Sequence, residues 1–243
     1  MHKRNSSSGT QLNCFSPPVM LATFTAEICM AGYVLWCYRL NNIGRLAVSM
    51  LAFLGLFQLS EYFVCGGAGM SSESWSRTGY AAITMLPPLG LHLMCVLAGK
   101  RRRWLLAAAY ASAAGFIAYF LLYHAAFKGY QCTGNYVIFQ LGMHPAIAYG
   151  AYYYGWIVAT LGLGLYWAGQ VKTRGKKVLL QVRTIYALIA GYLIFLLPTA
   201  LANSVKPETR RGIPSIMCGF AILFALILTF YILPRIGKKR QLT

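Results

Sequence analysis

The chain of 243 residues is apolar and basic: 58% of its residues are hydrophobic, 11% are charged, and the formal net charge is +18. The apolar fraction excludes a disordered chain, and the charged fraction lies well below the roughly 25% of an ordinary soluble domain. These values are typical of an integral membrane protein. They leave no separate basic domain that could dock on nucleic acid.

Seven apolar stretches are each long enough for a membrane-spanning helix of about 20 residues. They cover residues 17–39, 44–66, 78–99, 104–126, 145–169, 178–203 and 213–234. Continuous runs of this length favour helices over barrel strands, because a helix satisfies its own backbone polar groups in lipid. The sequence therefore predicts an all-α, polytopic bundle of seven transmembrane helices over 17–234, with a polar N-terminal tail (1–16) and a basic C-terminal tail (235–243).

The basic residues predict the orientation of this bundle. One set of loops carries about twice as many Lys and Arg residues as the other set, and it contains no acid. Lys100, Arg101, Arg102 and Arg103 form its densest cluster. Cytoplasmic loops are the basic ones, so we expect the N-terminus outside, the C-terminus in the cytoplasm and a multi-pass protein of the cell membrane. The excess charge then anchors the chain on anionic lipid rather than on nucleic acid.

Three ionisable residues fall inside the apolar stretches: Glu27, Glu61 and His92. Ionisable groups are costly in a bilayer, so each is a candidate functional residue, although interhelical hydrogen bonding is the plain alternative. Gln58 lies three residues before Glu61 and therefore shares its helix face.

A metal site is a further candidate. Glu61, His124 and His144 together would supply two imidazoles and one carboxylate, a set that suits Zn²⁺ or Fe²⁺. No spacing rule joins the three residues, so two interface histidines are the alternative. No other cofactor is indicated. A retinal linkage requires a lysine in the last span, and that span has none.

Prolines and aromatic residues mark a candidate cavity in the outer half of the bundle. Pro87-Pro88 and Pro198 predict kinks in the third and sixth spans, with freed carbonyls near Thr84. The fifth span has an aromatic face at spacings of three and four. The predicted ligand-binding residues are Glu61, Gln58, Tyr152, Tyr153, Trp156 and Asn203.

Two cysteines lie where they could form a disulfide on the outer side. Cys65 ends the second span, and Cys132 lies in the long outer segment 127–144. An oxidising compartment permits a Cys65–Cys132 disulfide, which would pin that segment over the mouth of the bundle. Whether the segment is a lid or a connector stays open.

Three short motifs resemble the seven-helix membrane sensor region of bacterial histidine kinases and related signalling proteins. They are Gln58-Leu59-Ser60-Glu61, Leu86-Pro87-Pro88-Leu89, and the final pair of spans from Leu196-Leu197-Pro198 through Ile213-Pro214 to Leu233-Pro234. The resemblance implies a sensor whose signal passes to a separate membrane or cytoplasmic partner, since the chain continues for only nine residues beyond Pro234.

We therefore expect a non-enzymatic sensor or ligand-binding protein. Two alternatives remain: an intramembrane metal-dependent lipid hydrolase using Glu61, His124 and His144, and a small-solute or proton-coupled transporter using Glu27, Glu61 and His92.

Overall fold

The computed structural model describes residues 17–66, 69–123, 126–132, 137–170, 175–205 and 213–237. Most of these residues are helical. The helices are α1 Pro17–Cys37, α2 Asn42–Gly66, α3 Ser72–Thr84, α4 Leu86–Leu97, α5 Arg103–Leu122, α6 Met143–Gly169, α7 Lys176–Val205, α8 Ile213–Leu226 and α9 Leu233–Ile236. A π-helical segment, Ile227–Ile232, joins α8 to α9.

Six helical segments within the described residues are long and apolar enough to cross a membrane. They are Pro17–Cys37, Asn42–Cys65, Ser72–Leu97, Arg103–Leu122, Val178–Leu201 and Ile213–Ile236. The helix α6 is not among them, although it has 27 residues. Its tyrosines and glycines lower its hydropathy relative to the leucine-rich segments.

The third apolar stretch is interrupted at Met85, next to the two prolines where the sequence predicts a kink. Thr84 ends α3, and α4 begins at Leu86. A continuous helix would need the backbone N–H of residue 88 to bond the Thr84 carbonyl, but Pro88 has no N–H. The break therefore lies one turn before the second proline. The predicted start of this span at residue 78 is also late, because α3 begins at Ser72 with the Ser71 side chain accepting a hydrogen bond from the backbone N–H of Ser74.

Two helices form the centre of the bundle. The helix α2 packs on α1, α3, α4 and α8, and α4 packs on α2, α5, α6 and α7. The helix α8 closes the bundle by packing on α7 and on α1. At Gly191 of α7, an added Cβ would lie 2.7 Å from the ring of Phe224, so glycine permits the close approach of α7 and α8.

The segment between α5 and α6 contains an antiparallel β-hairpin, which the all-α prediction did not include. Its strands are β1 Phe127–Cys132 and β2 Val137–Leu141, and Tyr130 pairs with Phe139. Aromatic and β-branched residues favour strands, and this segment is too short to cross a bilayer as a helix. The hairpin lies at the end of the bundle where α6 and α8 begin, which we call the hairpin end.

Candidate functional site

A cavity of about 580 Å³ lies at the hairpin end of the bundle. Ligand pockets in proteins commonly measure about 300–1,000 Å³. Residues of α3, β2, α6 and α8 line it: Tyr80, Ile83, Phe139, Gln140, Leu141, Ala146, Tyr149, Gly150, Tyr153, Tyr154, Ile213, Pro214, Met217 and Cys218. None of these described lining residues carries a formal charge at neutral pH. The cavity therefore suits a ligand that is small and mostly apolar.

Tyr80 is the centre of the aromatic wall. Its ring lies 5.0–5.5 Å, centroid to centroid, from the rings of Phe120, Phe127, Phe139 and Tyr149. Three of these four contacts are edge-to-face, the geometry that aromatic pairs prefer. The wall thereby joins α3, α5, the hairpin and α6 into one packed unit.

The break between α3 and α4 positions α6. The Tyr152 hydroxyl donates to the Thr84 carbonyl at 2.6 Å. That carbonyl is the one that Pro88 leaves without its helical partner. Thr84 Oγ1 lies 3.1 Å from the hydroxyl of Tyr149, one turn earlier on α6. The freed carbonyl that the sequence predicts near Thr84 is thus used to dock α6 instead of facing a ligand.

Two of the tyrosines that line the cavity, Tyr80 and Tyr153, are candidates for orienting a ligand. Neither Tyr80 nor Tyr153 has a hydrogen-bond partner for its hydroxyl within the described part of the chain. The hydroxyl of Tyr154, in contrast, contacts the Met217 sulfur at 3.4 Å. A ligand with a hydrogen-bond acceptor could therefore be oriented by Tyr80 and Tyr153.

The β-hairpin covers one side of the cavity. Phe139 is buried, and it lines the cavity together with Gln140 and Leu141. A disulfide between Cys65 and Cys132 joins the end of α2 to the end of β1, and this is the pair that the sequence analysis proposes. The hairpin is consequently fixed at two places. The disulfide to α2 holds the end where β1 and β2 turn, and the chain continues from the other end of β2 into α6.

The deep end of the cavity lies on α8. Met217 and Cys218 line both this cavity and a smaller one of about 30 Å³. Pro87 and Tyr192 line the smaller cavity as well. Since Tyr153 is shared too, the two spaces are neighbours along the inner face of α8, and the smaller one reaches the centre of the bundle.

Glu61 and Gln58 lie close to this region but outside the cavity lining. Glu61 is 1% exposed, and one of its carboxylate oxygens accepts a hydrogen bond from the Ser215 hydroxyl of α8. Gln58 is 2% exposed, and its Nε2 has no hydrogen-bond partner among the described residues. Glu61 therefore joins α2 to α8, which is the interhelical alternative that the sequence left open.

Glu27 and His92 lie in different parts of the bundle. Glu27 is fully buried, and within the described residues neither of its carboxylate oxygens has a hydrogen-bond partner. His92 Nδ1 lies 3.1 Å from the Tyr110 hydroxyl, which joins α4 to α5. The helix pair that holds His92 is thus separate from the α1–α2–α8 region of the two acids.

The proposed metal ligands are not brought together in the part of the chain that the structure describes. His144 is exposed at the start of α6, in an open groove with Phe116 and Tyr119 of α5. Glu61 is buried against α8, and His124 lies outside the described residues. No group of three or more His, Cys, Asp or Glu side chains suited to a metal occurs among the described residues. A site that includes His124 stays a prediction.

Of the six predicted ligand-binding residues, Tyr153 lines the cavity. Tyr152 bonds Thr84, and Trp156 Nε1 donates to Ser112 Oγ of α5 at 3.0 Å. The Asn203 side chain is outside the described part of the chain. Tyr80, Gly150 and the hairpin residues were not predicted from the sequence. Ala146, Gly150 and Tyr154 are spaced four residues apart and therefore lie on one face of α6. This spacing would have indicated the face of α6 that lines the cavity.

No known protein family matches the chain, and no curated protein is significantly similar to it.

Proposed function

We propose that the protein is a seven-helix, multi-pass protein of the cell membrane that binds a small, mostly apolar ligand in the hairpin cavity and acts as a sensor. In addition to the six apolar segments described above, we take α6 as a spanning helix. Its 27 residues extend for about 40 Å at 1.5 Å per residue. The hydrocarbon core of a bilayer is about 30 Å thick, so α6 is long enough. With the N-terminus outside, as the basic loops predict, the hairpin end is the outer end.

The uncharged lining of the cavity is the observation that carries the proposal. Ligand sites are typically apolar concavities with a few polar groups that fix orientation. Here the tyrosines and Gln140 supply those polar groups, and most of the remaining wall is apolar. The arrangement favours binding over catalysis, because no described lining residue is a carboxylate or an imidazole.

A signal would leave the cavity through α8. Met217 and Cys218 line the cavity, and the same run of helix continues through the π-helical segment to Arg235 at the other end of the bundle. π-Helical turns are frequent at functional sites, and they provide a place where a helix changes its register. A ligand that displaces α8 would shift the basic cytoplasmic end, where a separate signalling partner and anionic lipids are the expected contacts.

Filling the cavity from Gly150 tests this proposal. An added Cβ at Gly150 would meet no heavy atom within 4 Å, and Gly150 lines the cavity, so we expect Gly150→Phe to fill part of it. We expect about a tenfold loss of cavity labelling by a small neutral aryl diazirine, which corresponds to about 1.4 kcal/mol of lost binding. Labelled residues would be located by peptide mass spectrometry after illumination of the purified protein.

Gly155→Phe is the matched control. Gly155 lies on the same helix, an added Cβ there also has open space, and Gly155 lines neither of the two cavities nor the groove at His144 described above. The control should leave labelling of Tyr153 and Met217 unchanged, and labelling of the exposed Leu165 should stay constant in both variants. If wild-type Tyr153 and Met217 are not labelled, or if Gly150→Phe leaves their labelling unchanged, the ligand-binding proposal is wrong.

A further inference from the structure

The cavity is open on the side of α6 that carries small residues. Ala146 and Tyr154 line the cavity and are exposed, and Gly150 lies between them on the same helix face. On the facing side, Ile213 and Pro214 of α8 are half-buried. Because these lining residues of α6 are exposed, the cavity is open beside α6.

The depth of this opening matches one half of a bilayer. Tyr154 lies eight positions after Ala146 in the helix, which is a rise of about 12 Å. These residues lie within the first turns of α6, which begins at Met143. Half of the hydrocarbon core measures about 15 Å, so in a spanning bundle the opening faces the acyl chains of one leaflet.

The surface around the opening is apolar. Ile147 is 61% exposed on α6, and Leu197 and Leu201 of α7 are 62% and 65% exposed. Side chains of this kind are compatible with lipid rather than with water. The hairpin, fixed to α2 by the Cys65–Cys132 disulfide, covers the side of the cavity next to Tyr80. A ligand dissolved in the bilayer thus has a more direct approach than a ligand dissolved in water.

From this geometry we infer that the ligand is the acyl chain of an outer-leaflet phospholipid, which enters sideways beside α6. This inference rests on the proposed function and names its ligand class. The aliphatic and aromatic wall contacts the acyl chain, whose terminal carbons lie deepest in the cavity, beside Tyr153 and Met217. The described lining residues include no cationic side chain that could pair with a phosphate. The headgroup therefore stays at the membrane surface outside the cavity.

Photocrosslinking in proteoliposomes tests the inference. The protein is reconstituted with phosphatidylcholine that carries a diazirine near the end of one acyl chain, or, in a parallel sample, on the headgroup. We expect the acyl-chain probe to label Tyr153 and Met217 and the headgroup probe to leave both unlabelled. Gly150→Phe should reduce the acyl-chain labelling of these residues about tenfold, whereas Gly155→Phe should not change it.

The possible outcomes separate this inference from the proposed function. If the small aryl diazirine labels the cavity but the acyl-chain lipid does not, the ligand-binding proposal stands and the phospholipid inference is overturned. Labelling of Tyr153 by the headgroup probe would also overturn it, because the chain would not be the part that enters. If neither the small probe nor the lipid labels the cavity, both proposals fail.

Discussion

At the scale of single residues, Glu27 has the least favourable environment in the described part of the chain. It is fully buried, and neither carboxylate oxygen has a hydrogen-bond partner there. Burying a polar group without a hydrogen bond costs about 1–3 kcal/mol, and burying an unpaired ion costs far more. Glu27 therefore lowers the stability of the fold. Ser60, by contrast, is also buried, but its hydroxyl donates to the Leu56 carbonyl at 2.7 Å.

Replacing Glu27 with leucine should stabilise the protein. Glu27→Leu removes the unpartnered carboxyl group and keeps a side chain of similar size among Met30, Ala31 and the neighbouring core residues. We expect the free energy of unfolding to rise by about 1–3 kcal/mol. Thermal and denaturant unfolding of the purified protein in detergent would measure the change.

Glu27→Gln and Glu73→Leu are the controls for this measurement. Glutamine keeps a polar group at the same place, so Glu27→Gln should raise the free energy of unfolding by less than Glu27→Leu does. Glu73 is exposed and pairs with Arg77 at 2.5 Å, and an exposed pair of this kind contributes about 0–1 kcal/mol. A clear loss of stability in Glu27→Leu would mean that the carboxyl group has a favourable partner in the folded protein.

At the scale of elements, the break between α3 and α4 determines where α6 docks. Pro88 removes the helical donor to the Thr84 carbonyl, and the Tyr152 hydroxyl of α6 takes that place. The proline and the tyrosine are 64 positions apart along the chain, yet they act on one carbonyl group. Their effects on stability should therefore be coupled.

A double-mutant cycle tests this coupling. Tyr152→Phe leaves the buried Thr84 carbonyl without its donor, so we expect a loss of about 1–3 kcal/mol. In a Pro88→Ala background the N–H of residue 88 can bond the same carbonyl, and the loss caused by Tyr152→Phe should become smaller. Tyr166→Phe, at a position that is 58% exposed on the same helix, serves as control. Equal losses in the two backgrounds would disprove the coupling.

The helices were predictable from the sequence because a spanning helix needs only a local apolar run. The stretches 44–66 and 213–234 differ from the helical limits by two residues or fewer at each end. The hairpin was harder to predict from the sequence, because β1 and β2 gain their stability from pairing with each other and from the packing of Phe139 on Tyr80. Neither contact can be read from a hydropathy profile.

The cavity residues were only partly predictable, because the role of a helix face depends on which other element packs against it. The aromatic face of α6 was visible in the sequence, but Tyr152 and Trp156 bond to α3 and α5, whereas Tyr153 lines the cavity. The rotation of α6 that separates them is set by the Tyr152–Thr84 bond. For the same reason Glu61 was singled out by its charge, but its contact with Ser215 of α8 was not foreseeable.

At the scale of the whole molecule, the described basic residues lie mainly at the end opposite the hairpin. Arg39, Arg45, the cluster 100–103 and Arg235 are all exposed there. At the hairpin end, Arg77 is half-buried and bonds Glu73 and the Leu121 carbonyl. Basic loops stay in the cytoplasm, so this asymmetry predicts that the hairpin and its disulfide lie outside.

Native cysteines allow this orientation to be measured on intact cells. Cys65 and Cys132 are exposed at the hairpin end and joined by a disulfide, whereas Cys37 ends α1 at the opposite end. One variant would retain only Cys65 and Cys132, and a second would retain only Cys37, with serine at the other cysteines. We expect a membrane-impermeant maleimide to label the first variant from outside, and only after treatment with an impermeant reductant.

The second variant supplies the opposite result in the same assay. Cys37 should react only after the cells are permeabilised, and reduction should not change its reactivity, because it is a free thiol. An epitope at the C-terminus tests the number of spans in the same assay. With seven spans, the epitope lies on the same side of the membrane as Cys37 and becomes accessible together with it. With an even number of spans, it would lie on the side of Cys65. If Cys37 is labelled on intact cells, the basic end faces outward. The hairpin cavity would then open to the inner leaflet, and both the sensor proposal and the outer-leaflet ligand would have to be abandoned.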